Sequence, residues 1–346
     1  MSERGDAYPI NPSPTIIDRI ASWTGLSWAW FVVVGGLIPL TLILVGVTLD
    51  GVWPVFFSEG FWRLLVQPVM VFYILLIYPF MQRMEHRVVM GFRPAVLLDD
   101  EDYAQVVQQA TAVNPRVEFL IVGIAALVGF WANVPWMGAA GFFWLRWAVA
   151  LSGALTLGLL GWVVFAAIAG TRLVTALHNL PLQVDLFDIK PFEPFGRQSI
   201  VMVLAFVGGV TLSTFFLISP DSGFLSIENL IFDAALILVA VLAFFLNMRP
   251  THRVLAAAKR KELALVERNI ARTYERLKQA PAGVEAAQAT AEELNAWIAM
   301  EKRLEETRTW PYNTSMLRVL FLSVLIPVGA ELIKVVYEVM LSQMGG

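Results

Sequence analysis

Seven stretches of this chain each run for close to twenty residues with few charges, and nothing else in the sequence limits its fold as much. A helix rises about 1.5 Å per residue, so about 20 apolar residues cross a hydrocarbon layer of about 30 Å. Backbone polar groups inside lipid must be paired within their own segment, which leaves helices or closed barrels. The runs are continuously apolar rather than alternating, and that favours helices. The spans fall at 28–49, 62–82, 117–134, 142–170, 199–219, 227–248 and 316–341. The expected fold is an all-α integral membrane protein with about seven transmembrane helices.

The rest of the composition agrees. Of 346 residues, 58% are hydrophobic and 15% charged, against about 25% charged in soluble proteins. Mean hydropathy is +0.66. A net charge of −3 argues for no nucleic-acid partner. The absence of Cys removes disulfides, thiol catalysis and thiolate-bound metals. There is no HExxH, GxSxG, P-loop or dinucleotide fingerprint, and no clustering of nucleophile, acid and metal ligands at one depth. No enzyme activity, cofactor or metal is expected. The polar start, MSERGDAYPINPSPTIIDRI, lacks the basic and apolar regions of a signal peptide, and none is expected.

Orientation follows from Lys and Arg. Connections 83–116, 171–198 and 249–315 hold most of them, whereas 50–61, 135–141 and 220–226 hold none. This predicts a protein of the plasma (cytoplasmic) membrane with its N-terminus cytoplasmic and its C-terminus outside. Four regions result: a cytoplasmic segment with an interfacial helix at 1–27, a six-helix bundle at 28–248, a cytoplasmic coiled-coil hairpin at 249–312 and the last transmembrane helix at 313–346. In the first region, Ser13 and Pro14 read as N-cap and N1, with Ile16, Ile17, Ile20 and Trp23 on one interfacial face.

The hairpin reading rests on period. Leu263, Val266, Ile270, Tyr274 and Leu277 recur at three- and four-residue steps, APAG interrupts, and Val284, Ala287, Ala291, Leu294 and Ile298 repeat the pattern. Residues 250–309 thereby become a candidate surface for self-association or for a cytoplasmic protein partner. Leu263, Val266, Ile270, Leu277, Leu294 and Ile298 are the key positions.

The last span carries charges where lipid is expected. In LIPVGAELIKVVYEVM, Glu331, Lys334 and Glu338 follow Pro327 and Gly329 at helical spacing. A charge deep in a bilayer must face protein, a partner or water. Glu331, Lys334, Glu338, Pro327 and Gly329 are therefore the candidate ion-pathway residues, and a homo-oligomeric ion channel is the expected function. The alternative is a membrane-anchored scaffold or signalling protein whose hairpin binds a partner. Seven spans, an inside N-terminus and an outside C-terminus make a layout similar to that of insect odorant and gustatory receptors. That resemblance implies a tetramer with a pore lined by the last helix. The family's aromatic last-helix motif is not found in LFLSVLIPVGAELIKVVYEVM, so no residue role is carried over.

Smaller expectations concern the connections. LLDDEDYAQVV reads as an acidic N-cap and first turn of a surface helix. In PLQVDLFDIKPFEPFGR, Phe187, Phe192 and Phe195 are expected beneath the bundle. His86, His178 and His252 each follow an even-numbered span and read as interfacial polar groups. Ala150, Ala154 and Gly158 form a stripe for close helix contact, and Arg146 could pair with Asp233.

Overall fold

The computed structural model describes residues 14–57, 61–133, 142–188, 190–217, 227–279, 284–310 and 316–323, with single positions at 325, 329 and 340. The helices are α1 (Ile16–Thr24), α2 (Trp28–Asp50), α3 (Trp53–Phe56), α4 (Phe61–Phe92), α5 (Asp100–Thr111), α6 (Pro115–Asn133), α7 (Phe143–His178), α8 (Glu193–Leu217), α9 (Ile227–Gln279) and α10 (Val284–Glu306). Residues 316–323 are helical as well. Among the described residues there is no β-strand, only an isolated antiparallel bridge between Val96 and Leu182.

Among the described residues, five segments are long and apolar enough to cross a membrane: Trp28–Asp50, Leu64–Ala95, Asp100–Asn133 (whose apolar part is α6), Phe143–His178 and Lys190–Ser213. They coincide with the first five expected spans. The sixth, 227–248, lies on α9, but most of its side chains are outside the described residues, as is most of the seventh.

Small residues set the closest helix contacts. A methyl group added at Gly129 of α6 would strike the carbonyl of Gly153 on α7 and come within 2.8 Å of Leu157. Gly158 faces Ala126 and Gly161 faces Ala125 in the same way. Gly158 belongs to the expected stripe, and Gly153 and Gly161 of α7 join it in the seam. At the far end of α7, the Asp50 carboxylate accepts the backbone N–H groups of Trp144 (3.2 Å) and Leu145 (2.7 Å). These are orphan donors of the first helical turn, and a carboxylate suits the positive end of the helix dipole. Arg146 is exposed, and the Asp233 side chain lies outside the described residues.

The opposite end of the bundle is knitted by the connections. Asp99 caps α5 by accepting from Asp102 N at 2.8 Å, as the acidic run predicts. Tyr103 of α5 donates to the Val89 carbonyl of α4 at 2.6 Å. Phe192 and Phe195 are buried against Phe92 of α4, with edge-on ring contacts at 5.4 and 4.9 Å. Phe187 departs from expectation. It is 46% exposed and lies under the Arg303 guanidinium at 4.6 Å, which gives it a partner outside the bundle.

α9 continues without a break for 53 residues, through Pro250. Its charged half lies along α10: Lys259 Nζ donates to the carbonyls of Glu305 (2.7 Å) and Thr307 (3.0 Å), while Arg276 pairs with Glu293 at 2.9 Å. An early residue of α9's charged half thus meets a late residue of α10, and a later residue of α9 meets an earlier one of α10.

Candidate functional site

The site builds from α1. Thr15 is its N-cap in a reciprocal capping box: Asp18 N donates to Thr15 Oγ1 at 3.3 Å, and Thr15 N donates to Asp18 Oδ2 at 3.0 Å. The cap is therefore Thr15, with Pro14 outside the helix, because only Thr15 stands three residues before an acid; Ser13 lies outside the described residues. The Asp18 carboxylate also accepts from Tyr78 Oη at 2.7 Å and from Gln82 Nε2 at 3.3 Å, so one acid caps α1 and ties it to α4.

The interfacial face of α1 is split. Ile16 and Ile17 are buried in the bundle, while Ile20 is 48% and Trp23 88% exposed. Glu118 explains the split. This carboxylate, 1% exposed, accepts from Ile16 N (2.8 Å), from the Trp162 indole N–H (2.9 Å) and from Arg19 (2.9 Å). Three elements, α1, α6 and α7, converge on it. A buried charge needs several donors to offset its lost hydration, and Glu118 has them. Tyr78 meets Trp28 at a tilt and Trp162 edge-on, with ring centroids 5.3 and 5.0 Å away.

Asp18, Trp28, Tyr78 and Trp162 line a cavity of about 1260 Å³ bordered by α1, α2, α4, α5, α7 and α8. Trp28, Tyr78, Trp162 and Val163 give it an apolar wall; Asp18, Gln82, Arg83, Glu85 and His86 lie toward its mouth. The ion pairs among the described residues are Arg19–Glu118, Arg93–Asp100, Arg197–Glu193 and Arg276–Glu293. Asp18 and Glu85 belong to none of them. The indole N–H of Trp28 is enclosed with no hydrogen-bond partner among the described residues. A cavity this large, apolar within and polar at its mouth, suits an amphiphile better than an ion.

A second polar cluster joins α4, α6 and α7. Gln67 Nε2 donates to Asn133 Oδ1 at 2.9 Å, and Asn133 Nδ2 donates to the Gly129 carbonyl at 2.7 Å. It fastens the small-residue seam beside it.

The candidates read from the sequence are distributed as follows. Glu331, Lys334, Glu338 and Pro327 lie outside the described residues; Gly329 is helical and half-buried, with open space beside its Cα. On the arm, Val266 is buried with Leu304 and Leu186, and Leu263, Ile270, Trp297 and Met300 pack against them. Leu277 and Leu294 are half-buried, and Ile298 is 46% exposed. The histidines do not converge. His86 is exposed, and His252 stacks on Trp310 at 4.0 Å. His178 departs from an interfacial position: it is buried among Phe92, Phe192 and Phe195, donates from Nδ1 to the Val174 carbonyl at 2.6 Å, and meets Thr251 Oγ1 at 2.8 Å through Nε2. No group of three or more His, Asp or Glu among the described residues is placed to hold a metal. Sequence reasoning passed over Glu118, Asp18 and Gln67. For Glu118 the signal was an acid directly ahead of the apolar run FLIVGIAALVGF.

Compared with protein-family models, with curated protein sequences and with solved structures, the chain has no significant match.

Proposed function

We propose that this helical membrane protein is a membrane-anchored scaffold or signalling protein, and that its α9–α10 arm, residues 250–309, is the surface that engages a cytoplasmic protein partner. The observation that carries this reading is the continuity of α9. One rod of 53 residues joins the bundle wall to the charged arm, so a partner held by the arm is mechanically coupled to the bundle. Residues that a partner could reach are present on the arm: Leu265 is 48% and Tyr274 55% exposed. The arm's root is braced by Leu186 and by Phe187 under Arg303. Side-chain exposure of apolar residues on a charged helix pair is a cost unless something covers them.

The test is site-specific photo-crosslinking in cells from Leu265, Tyr274 and Ile298, with Phe72 (41% exposed, within the apolar part of α4) as the control. One discrete protein adduct from the arm, lost when Ile270→Pro breaks α9, is the expected result. Adducts from none of the three arm positions would sink the reading.

The charged stripe of the last helix supports a second reading, a homo-oligomeric ion channel of the plasma membrane with Glu331 on the pathway. Planar-bilayer recordings separate the two. A change in cation-to-anion preference on Glu331→Gln favours conduction, and silent bilayers for the parent protein favour the scaffold.

A further inference from the structure

The cavity at the foot of α4 has a composition that selects its occupant. Its inner wall is aromatic and aliphatic, with the Tyr78 ring touching both Trp28 and Trp162 and with Ile74, Val163 and Met202 also lining it. Its mouth carries two carboxylates, Asp18 and Glu85, that have no cationic partner among the described residues. Glu85, on α4, is half-buried and makes no hydrogen bond among the described residues. Facing the same mouth are one fixed cation, Arg83, whose Nε donates to the Pro79 carbonyl at 3.1 Å, and His86, which is exposed.

Carboxylates beside electron-rich ring faces are the chemistry that holds an organic ammonium group, through charge and cation–π attraction together. The volume of about 1260 Å³ exceeds what a small cation fills; pockets for drug-sized ligands run to about 1,000 Å³. The surplus is apolar, and the lining includes Gln82, Gly170 and Gln198, beside the ends of the expected spans 62–82, 142–170 and 199–219. The geometry points to a binding site for an amphiphile with an ammonium head: the head between Asp18 and Glu85, the apolar body along Trp28, Trp162 and Val163. The free Trp28 indole N–H is a donor that an oxygen near the head satisfies. Two sources share this chemistry, a membrane phospholipid with an ammonium headgroup and a free cationic amphiphile. In the first, Arg83 takes the phosphate. This site does not depend on the arm or on its partner.

The experiment measures binding to the full chain in a neutral detergent by native mass spectrometry, with three probes: phosphatidylethanolamine, phosphatidylglycerol with the same acyl chains, and dodecyltrimethylammonium. Ammonium-bearing probes should bind in preference to phosphatidylglycerol. Glu85→Gln should weaken them by about tenfold, the equivalent of one charge-assisted contact. Glu85 has no partner to lose, so this variant folds as the parent does. Ala169→Trp, which fills the mouth from α7, should abolish binding while the chain still elutes as the parent does. Binding of phosphatidylethanolamine alone, lost on Arg83→Ala, identifies the lipid as the source; binding of dodecyltrimethylammonium alone identifies the free amphiphile. Equal binding of phosphatidylglycerol, failure of every probe to bind, or affinities indifferent to Glu85→Gln overturns the proposal.

Discussion

One carboxylate sets the geometry of the lower bundle. Glu118 is 1% exposed and holds a backbone N–H of α1, an indole of α7 and the Arg19 guanidinium at once. Removing it strands two buried donors and an arginine whose side chain is 38% exposed. The cost of breaking a buried pair runs to about 3–5 kcal/mol, and the partial exposure of Arg19 places this case near the lower end, about 3 kcal/mol. Glu118→Ala should therefore lower the thermal midpoint of the purified protein clearly, whereas Tyr78→Phe removes a hydroxyl that donates to Asp18, meets Thr15 and accepts from Gln82; Thr15 and Gln82 keep Asp18 as a partner, so it should cost less, about 1 kcal/mol. A scanning-fluorimetry comparison in one detergent checks both, and equal shifts would mean that Glu118 does not organise the contact. The sequence concealed this role for a physical reason. An acid in the first turn of an apolar helix reads as a complement to the helix dipole. Only the fold brings α1 beneath it.

At the scale of elements, the α6–α7 seam and the arm respond to different variables. In the seam, Gly129→Ala places a methyl against the Gly153 carbonyl. Helix propensity favours that change by about 1 kcal/mol, but the obstacle is backbone and cannot swing aside, so overpacking of about 2 kcal/mol should win. Gly123→Ala on the same helix meets nothing within 4 Å and should be neutral or stabilising. Opposite shifts of the midpoint for the two variants check the seam; like shifts would argue against it. In the arm, the Trp297 indole and then Arg276 and Thr273 hold the Glu293 carboxyl below the ordinary carboxylate range. A depressed folded value means that this contribution is complete above the unfolded pKa of about 4.3 and fades as pH falls through the lower folded value. Acid should therefore loosen the α9–α10 contact, and Glu293→Gln should remove the pH dependence below about pH 4. Hydrogen exchange along Thr273 and Arg276 reads it.

For the whole molecule, period and hydropathy made the first five spans and the Asp99 cap legible in the sequence. Contacts that depend on which elements meet were not legible. Phe187 left the bundle for Arg303, and His178 went inside because three phenylalanines from α4 and the 181–197 connection surround it. The positive-inside pattern yields a prediction at this scale. The chain has no Cys, so single cysteines at Tyr274 and Trp53 can report sidedness without a background. In intact cells an impermeant thiol reagent should label the Trp53→Cys variant and spare Tyr274→Cys; the reverse would invert the orientation. Glu118 also bears on how the protein is made. Ile16 and Arg19 leave the ribosome well before Glu118 and Trp162, at 5–20 residues per second by roughly five to thirty seconds. During that interval the amphipathic α1 has no site to occupy. Its docking is a late event in biogenesis, conditional on insertion of the α6–α7 pair, and it can serve as the checkpoint that distinguishes a completed bundle from a stalled one.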